Sequence, residues 1–565
     1  MDVYSFPPQP ANFDAVGKFF IAFCATWTTL VFAGIGVLCV FHYEPIIKIR
    51  CLPLSLASIL MLHAYWVLAQ VVYPVGMTMP LPLAYSIQYF FMGIWFPLGI
   101  ALFHASNSRF LHIAKLQKQF THPALRARAG CNGASTSWLC RFRNLSYPTR
   151  ILIYIGIGMV VQVLLTVGMW LACLKYHPTF GIPGTGLSGP FQQQLVELGR
   201  GWEWWPSVLW QVIWTWIVAP ILIYKSWNLR DTFGWRLQTI GCCISSLHAT
   251  PMFLIASYSP AFSAINAYYP PSQWIHLSVF VFEIFTVFVP CWQVFKVRRL
   301  RQRAILSNAK WDTVSQATTL TTSTSPDWRS VSRAEKGQID EVAEEVGSDR
   351  LLTMGALDHV LNDNPQPLQE FSALRDFSGE NIAFLTRAMR WKASWPSKLD
   401  EDETRDLFTR ALEIYTDFVS PRDAEFPINV SSNDLKNLES VFETPARIMC
   451  GEARSNTAVP FDTDEHPLRN VSSSEGESQP GRMELGDVSG RIQFTGHISS
   501  DFSVDVFDNA VQSIKYLVLT NTWPKYVESQ RRRSAESVRT QSTAYTAISH
   551  STLVTKVSSI IKSIL

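Results

Sequence analysis

Acidic side chains are scarce in the first half of this 565-residue chain: residues 1–300 hold only seven of its 45 Asp and Glu. The same stretch holds 19 Lys and Arg and 15 of the 20 Trp, for a net charge of +12, while the remaining 265 residues carry −9. That division excludes a single water-soluble enzyme. Low acidity, abundant Trp and long apolar runs describe a membrane domain, and the acidic, Ser-rich remainder describes an aqueous one. A cleavable signal is not expected either, because a polar Met1–Asp14 stretch leads into an apolar run too long for a signal core. The last apolar run contains no Lys, so a retinal Schiff base has no attachment point there.

Runs of about 20 apolar residues suffice to cross a hydrocarbon core. They fall near 19–41, 52–73, 83–105, 151–174, 207–224, 237–258 and 273–295. The segments 42–51, 109–150, 225–236 and the stretch from 296 carry 18 Lys and Arg, against Lys18, Lys175 and Arg200 on the opposite side. Cytoplasmic loops retain positive charge, so residues 1–18 are expected outside and 296–565 in the cytoplasm, with the plasma membrane as the expected location. None of the ten cysteines then lies in an outward loop, which leaves no stabilising extracellular disulfide. The outer Trp202-Glu203-Trp204-Trp205 run reads as an interfacial belt, with the mouth of a ligand site as its alternative.

Within the spans Glu283 is the only acid, and His276, two turns earlier on the same helix face, is one candidate neighbour. A carboxylate at that depth is either functional or protonated and bonded to an adjacent helix. Seven spans with the N-terminus outside match the topology of G-protein-coupled receptors, but the motifs of the large receptor class are missing. The third span ends Asn107-Ser108-Arg109 instead of acid-Arg-aromatic, and the seventh reads Val289-Pro290-Cys291-Trp292 instead of Asn-Pro-x-x-Tyr.

Residues 304–349 are rich in Ser, Thr and Asp and read as a linker. From about 351 to 444 apolar residues recur at helical spacing: Leu357, Val360 and Leu361, then Ile382, Leu385 and Met389, then Leu407, Ala411, Ile414 and Phe418. No strand alternation appears. The expected fold is therefore all-α, a seven-helix membrane bundle followed by an aqueous helical bundle over 350–530. Periodicity lapses over 445–500, read as a disordered insertion, and returns with Val506, Phe507, Ala510, Ile514 and Leu517. Residues 531–565 are left as a tail.

Three blocks of the aqueous half, in order, resemble the regulator of G-protein signalling (RGS) family. The first is Leu357-Asp358-His359-Val360-Leu361 with Leu368-Gln369-Glu370-Phe371 and Phe377-Ser378-Gly379-Glu380-Asn381-Ile382. The second is Ala411-Leu412-Glu413-Ile414-Tyr415-Thr416-Asp417-Phe418-Val419 with Pro427-Ile428-Asn429-Val430-Ser431. The third is Phe507-Asp508-Asn509-Ala510, Leu517 and Trp523-Pro524-Lys525-Tyr526. Together they cover about 125 of the 180 residues between 351 and 530. Seven spans ahead of such a domain resemble the seven-transmembrane RGS hybrids of fungi and plants.

That resemblance implies an activator, with no catalytic residue of its own, that accelerates GTP hydrolysis by the α subunit (Gα) of a heterotrimeric G protein. Gα carries its own arginine and glutamine, so the accelerator needs only a rigid polar surface that binds the switch loops best in the transition-state arrangement. No cofactor, metal or nucleic acid is implied. The residues carried over as Gα contacts are Glu380, Asn381, Asn429, Leu517, Asn521 and Lys525. Many family members have Asp at the position of Asn521 and Arg at that of Lys525, which implies weaker or retuned contact. Helix capping and turn formation are the ordinary uses of Glu380, Asn381 and Asn429. The expected partners are Gα and the lipid bilayer, with room for a small extracellular ligand at the seven helices; the rival reading is a receptor-like scaffold that binds Gα or another protein without accelerating hydrolysis.

Overall fold

The structure, a computed structural model, describes residues 2–121, 147–320, 351–450 and 494–533 apart from Pro178, Ser397, Leu399 and Thr495. Cys131, Cys140, most of the expected insertion and nearly all of the tail lie outside these residues. Among the described residues there is no strand, only one isolated bridge between Cys173 and Ile182.

Among the described residues, seven helices are long and apolar enough to cross a membrane. They are α1 (Ala15–Val40), α2 (Leu52–Val75), α3 (Leu81–Phe120), α4 (Tyr147–Ala172), α5 (205–227), α6 (Trp235–Tyr258) and α7 (Gln273–Trp311, continuing helically to 320). Asp14 starts α1 by accepting from the Gly17 amide at 2.7 Å, which satisfies one of the free N–H groups of a first turn. Where α2 and α3 meet, small residues let the backbones approach. Ser58 donates to the Gly99 carbonyl at 2.7 Å, and a Cβ on Gly99 would stand 2.7 Å from Leu62 Cγ.

The second domain comprises α8 (Met354–Asp363), α9 (Gln366–Leu374), α10 (Gly379–Ala393), α11 (Glu401–Ile414), α12 (Ser432–Cys450), α13 (Asp508–Thr520) and α14 (522–533). Asp400 and Glu403 form a capping box on α11. The residues read as an apolar stripe converge as expected. Leu357, Leu361, Ile382, Leu385, Leu407, Ala411, Ile414 and Phe418 are buried in one core, with Val360 and Met389 packed at its edge.

Two boundaries differ from the sequence reading. The expected linker begins inside α7, whose extension runs beside the second domain: Asn308 accepts from the Met354 amide at 2.8 Å, and Lys296 lies 3.8 Å from Glu528. A helix built of polar residues escapes an apolar-run criterion because its support is a neighbouring domain and not its own periodicity. The expected insertion also starts too early and ends too late. Helix α12 continues to Cys450, and Phe494 is back in the core, its ring 5.3 Å from that of Phe408 and its amide 3.1 Å from Thr409 Oγ1. Phe494→Ala is therefore expected to destabilise the domain by about 3–5 kcal/mol, through lost burial and a residual cavity. Denaturant unfolding would measure this, and a loss below 1 kcal/mol would return Phe494 to the insertion.

Candidate functional site

Four of the six residues carried over by resemblance lie at one corner, where the second domain meets the basic end of the seven-helix bundle. The corner is built on the turn between α9 and α10. After Leu374 the chain cannot continue as helix. Phe377 adopts a left-handed conformation (φ 47°), and the Ser378 amide returns to the Ser372 carbonyl at 2.9 Å. A positive φ is costly for an aromatic residue, and packing holds it. The Phe377 ring sits edge-on to Phe110 of α3 at 5.0 Å and near Phe233 of the α5–α6 segment at 6.1 Å. Phe377 and Phe426 thus belong to an apolar cluster otherwise made by the membrane domain.

Asp376 is the polar centre of this turn and 4% exposed. It accepts from Lys525 Nζ at 2.7 Å, Thr522 Oγ1 at 2.8 Å, Ser378 Oγ at 3.2 Å and, from the membrane domain, Thr232 Oγ1 at 2.6 Å. The Thr232 amide donates to the Arg375 carbonyl at 2.9 Å. Lys525 also stands 4.8 Å from the centre of the Phe233 ring, a cation–π distance.

Beside it, Gln117 at the end of α3 is fully buried and uses both ends of its amide. It donates to Glu380 Oε2 at 2.9 Å and accepts from the Gly379 amide at 3.0 Å. Gly379 permits this approach: a Cβ there would lie 3.0 Å from Gln117 Oε1 and 2.8 Å from Ala373 Cβ. Burial pushes the Glu380 carboxyl up to about 7, opposed by the Gln117 hydrogen bond and reinforced by the neighbouring Asp376. Asn381 donates to Glu380 Oε1 at 3.4 Å. Asn521 completes the corner in a small cleft with Lys525, Glu44, Phe233 and Val294, and its buried Nδ2 has no hydrogen-bond partner. Asn429 is exposed. Leu517 packs at the edge of the second domain's own core.

The sequence reading missed Asp376, Phe377, Gln117 and Thr232. Gln117 and Thr232 are neutral residues in basic segments, and nothing local marks them as partners for acids more than 140 positions away.

Inside the bundle Glu283 is fully buried, but its neighbour is not His276. Glu283 meets His63 Nδ1 of α2 at 2.9 Å and the Trp27 indole of α1, and His63 Nε2 continues to Thr28 Oγ1 at 3.1 Å. His276 turns instead to the carbonyls of Ser272 at 2.6 Å and Tyr65 at 3.1 Å. Two turns on one helix bring side chains to the same face, yet neither reaches the other when each has a closer partner on α2.

A separate small cavity of about 40 Å³ lies among α3, α5, α6 and α7, lined by Phe96, His104, Gln211, Trp214 and Phe282 among others. Both amide atoms of Gln211 and the Nδ1 of His104 lack partners. The helices α3, α5 and α7 each carry a π-turn near this level, at Phe91–Trp95, Ile213–Val218 and Ile284–Phe288, a distortion common where helices open around a site. At the end of the bundle opposite the corner, Trp202 and Trp205 are exposed, while Trp204 turns inward and Glu203 is buried against Lys175.

Among the described residues no group of His, Cys, Asp and Glu has the arrangement to hold a metal ion. No family model, no curated protein and no solved structure matches the chain.

Proposed function

We propose that this chain is a membrane-anchored regulator of heterotrimeric G proteins, which accelerates GTP hydrolysis by Gα from the cytoplasmic side, with its N-terminus outside. The reading rests on the RGS-like blocks. One observation supports it most: Asp376 ties the turn just before Glu380 and Asn381 to the start of α14, which carries Lys525 and follows Asn521, so residues about 140 positions apart form one polar face. Such a face would act by fitting the switch loops of Gα in their reactive arrangement, and it needs no nucleophile. The 18-to-3 distribution of basic residues supports a cytoplasmic position for it.

Asn429 would reach beside the catalytic glutamine of Gα. Single-turnover hydrolysis by a panel of Gα subunits tests this, using the full chain in nanodiscs and residues 340–535. Asn429→Ala is expected to reduce the acceleration by about 10- to 100-fold, the cost of one or two buried hydrogen bonds, without altering the exposed residue's own domain. No acceleration and no binding by either form would sink the reading. Because Lys525 is already engaged by Asp376, a scaffold is the second reading, and tight binding of transition-state-mimic Gα without acceleration selects it. The cavity around Gln211 and His104 has room for water as it stands, so a small uncharged ligand with a hydrogen-bonding group would enter it only as the helices around it open.

A further inference from the structure

We infer that the basic end of the seven-helix bundle is an intramolecular cap on the face that would engage Gα, so that the two compete for the same residues. This rests on the proposed Gα-regulating function and adds its control. Glu380, Asn381, Asn521 and Lys525 are 3%, 8%, 9% and 9% exposed, which leaves no room for a second protein on them. Both hydrogen-bonding ends of the Gln117 amide are spent on Glu380 and Gly379. Thr232 binds the carboxylate that orients Lys525, and Phe233 lies against its ammonium. A partner that needs these groups must first separate the second domain from α3 and the α5–α6 segment.

The cap is built to release. Its apolar seal, Phe377 among Phe110 and Phe233, holds a strained backbone. It buries a carboxylic acid against neutral groups of the bundle, and it leaves the Asn521 amide unpaired, a cost that exposure to water or to a partner would remove. Its two anchors sit on different parts of the bundle, Gln117 at the end of α3 and Thr232 between α5 and α6. A shift of α3 relative to these helices would therefore strain both, and a ligand that favours such a shift would open the cap by population.

The test uses the full chain in nanodiscs with Gln117→Glu, Thr232→Asp and the milder Gln117→Ala. The two acidic variants place a carboxylate against Glu380 and Asp376 from the membrane side and leave every proposed Gα contact unchanged. Hydrogen–deuterium exchange over 376–385 reads opening without any Gα, exchange in the α11 core reports that the domain stays folded, and single-turnover hydrolysis reads the consequence. The expected result is at least tenfold faster exchange at Gly379 and at least tenfold greater acceleration with the acidic variants, with Gln117→Ala between them and wild type. Unchanged exchange in all three variants overturns the cap. Faster exchange with equal acceleration by wild type and variants overturns the competition while the Gα reading stands. Faster exchange with no binding of any Gα, by wild type or variant, overturns the Gα reading and the competition with it.

Discussion

Asp376→Ala should be among the most damaging single substitutions in the second domain, with an expected loss of about 3–5 kcal/mol. That is the usual consequence of removing one partner of a buried ion pair and leaving the other charge uncompensated. Lys525 is 9% exposed, and its ammonium would be left against Phe233 with no carboxylate. Thr522, Ser378 and Thr232 would lose their acceptor in the same step. Thermal unfolding of the full chain in nanodiscs should show the second domain melting about 10 °C lower, at a few degrees per kcal/mol for a domain of this size. Asp376→Ala combined with Lys525→Met should recover most of the loss, since the unpaired charge is then gone. A single variant within 1 kcal/mol of wild type would mean that the pair does not hold the corner.

The contact between the domains should also weaken as pH rises. Glu380 in the buried corner titrates near 7, above the ordinary carboxyl value of 4.5, so the closed arrangement binds its proton more tightly than an open one. The contribution is fully present below the ordinary value, falls as pH climbs between the two, and is constant above about 7. Each unit in that window is worth about a factor of ten in the open population. The charged groups packed around this corner are Asp376, Lys525 and Arg375 of the second domain, Glu425 opposite Gln119, Glu44 in the cleft with Lys525, and Arg50 and Asp231 behind Phe233. The bundle residue in direct contact, Gln117, is neutral. Exchange at Gly379, corrected for the intrinsic pH dependence of amide exchange, should thus slow about fivefold from pH 7 to pH 6 and change little from pH 7.5 to pH 8.5. Glu380→Gln, which keeps an acceptor for Gln117, should flatten the profile. A profile unchanged by that substitution would place the titrating group elsewhere.

The sequence by itself determined the class of this molecule. Apolar runs located all seven spans to within a few residues except at α3 and α7, whose polar ends run on past the runs. Helical spacing located the core of the second domain, from Leu357 to Phe418, because burial of one helix face repeats every three to four residues and is written locally. Only the tertiary structure decided which polar groups meet. Glu283 pairs with His63, 220 positions away, and Glu380 with Gln117, 263 positions away. No periodicity encodes those pairings. They depend on how each helix is rotated and on which domain surface lies opposite, so residues that read as a free contact face in sequence, Glu380, Asn381, Asn521 and Lys525, are buried once the bundle supplies a neutral amide, a threonine and a ring to cover them.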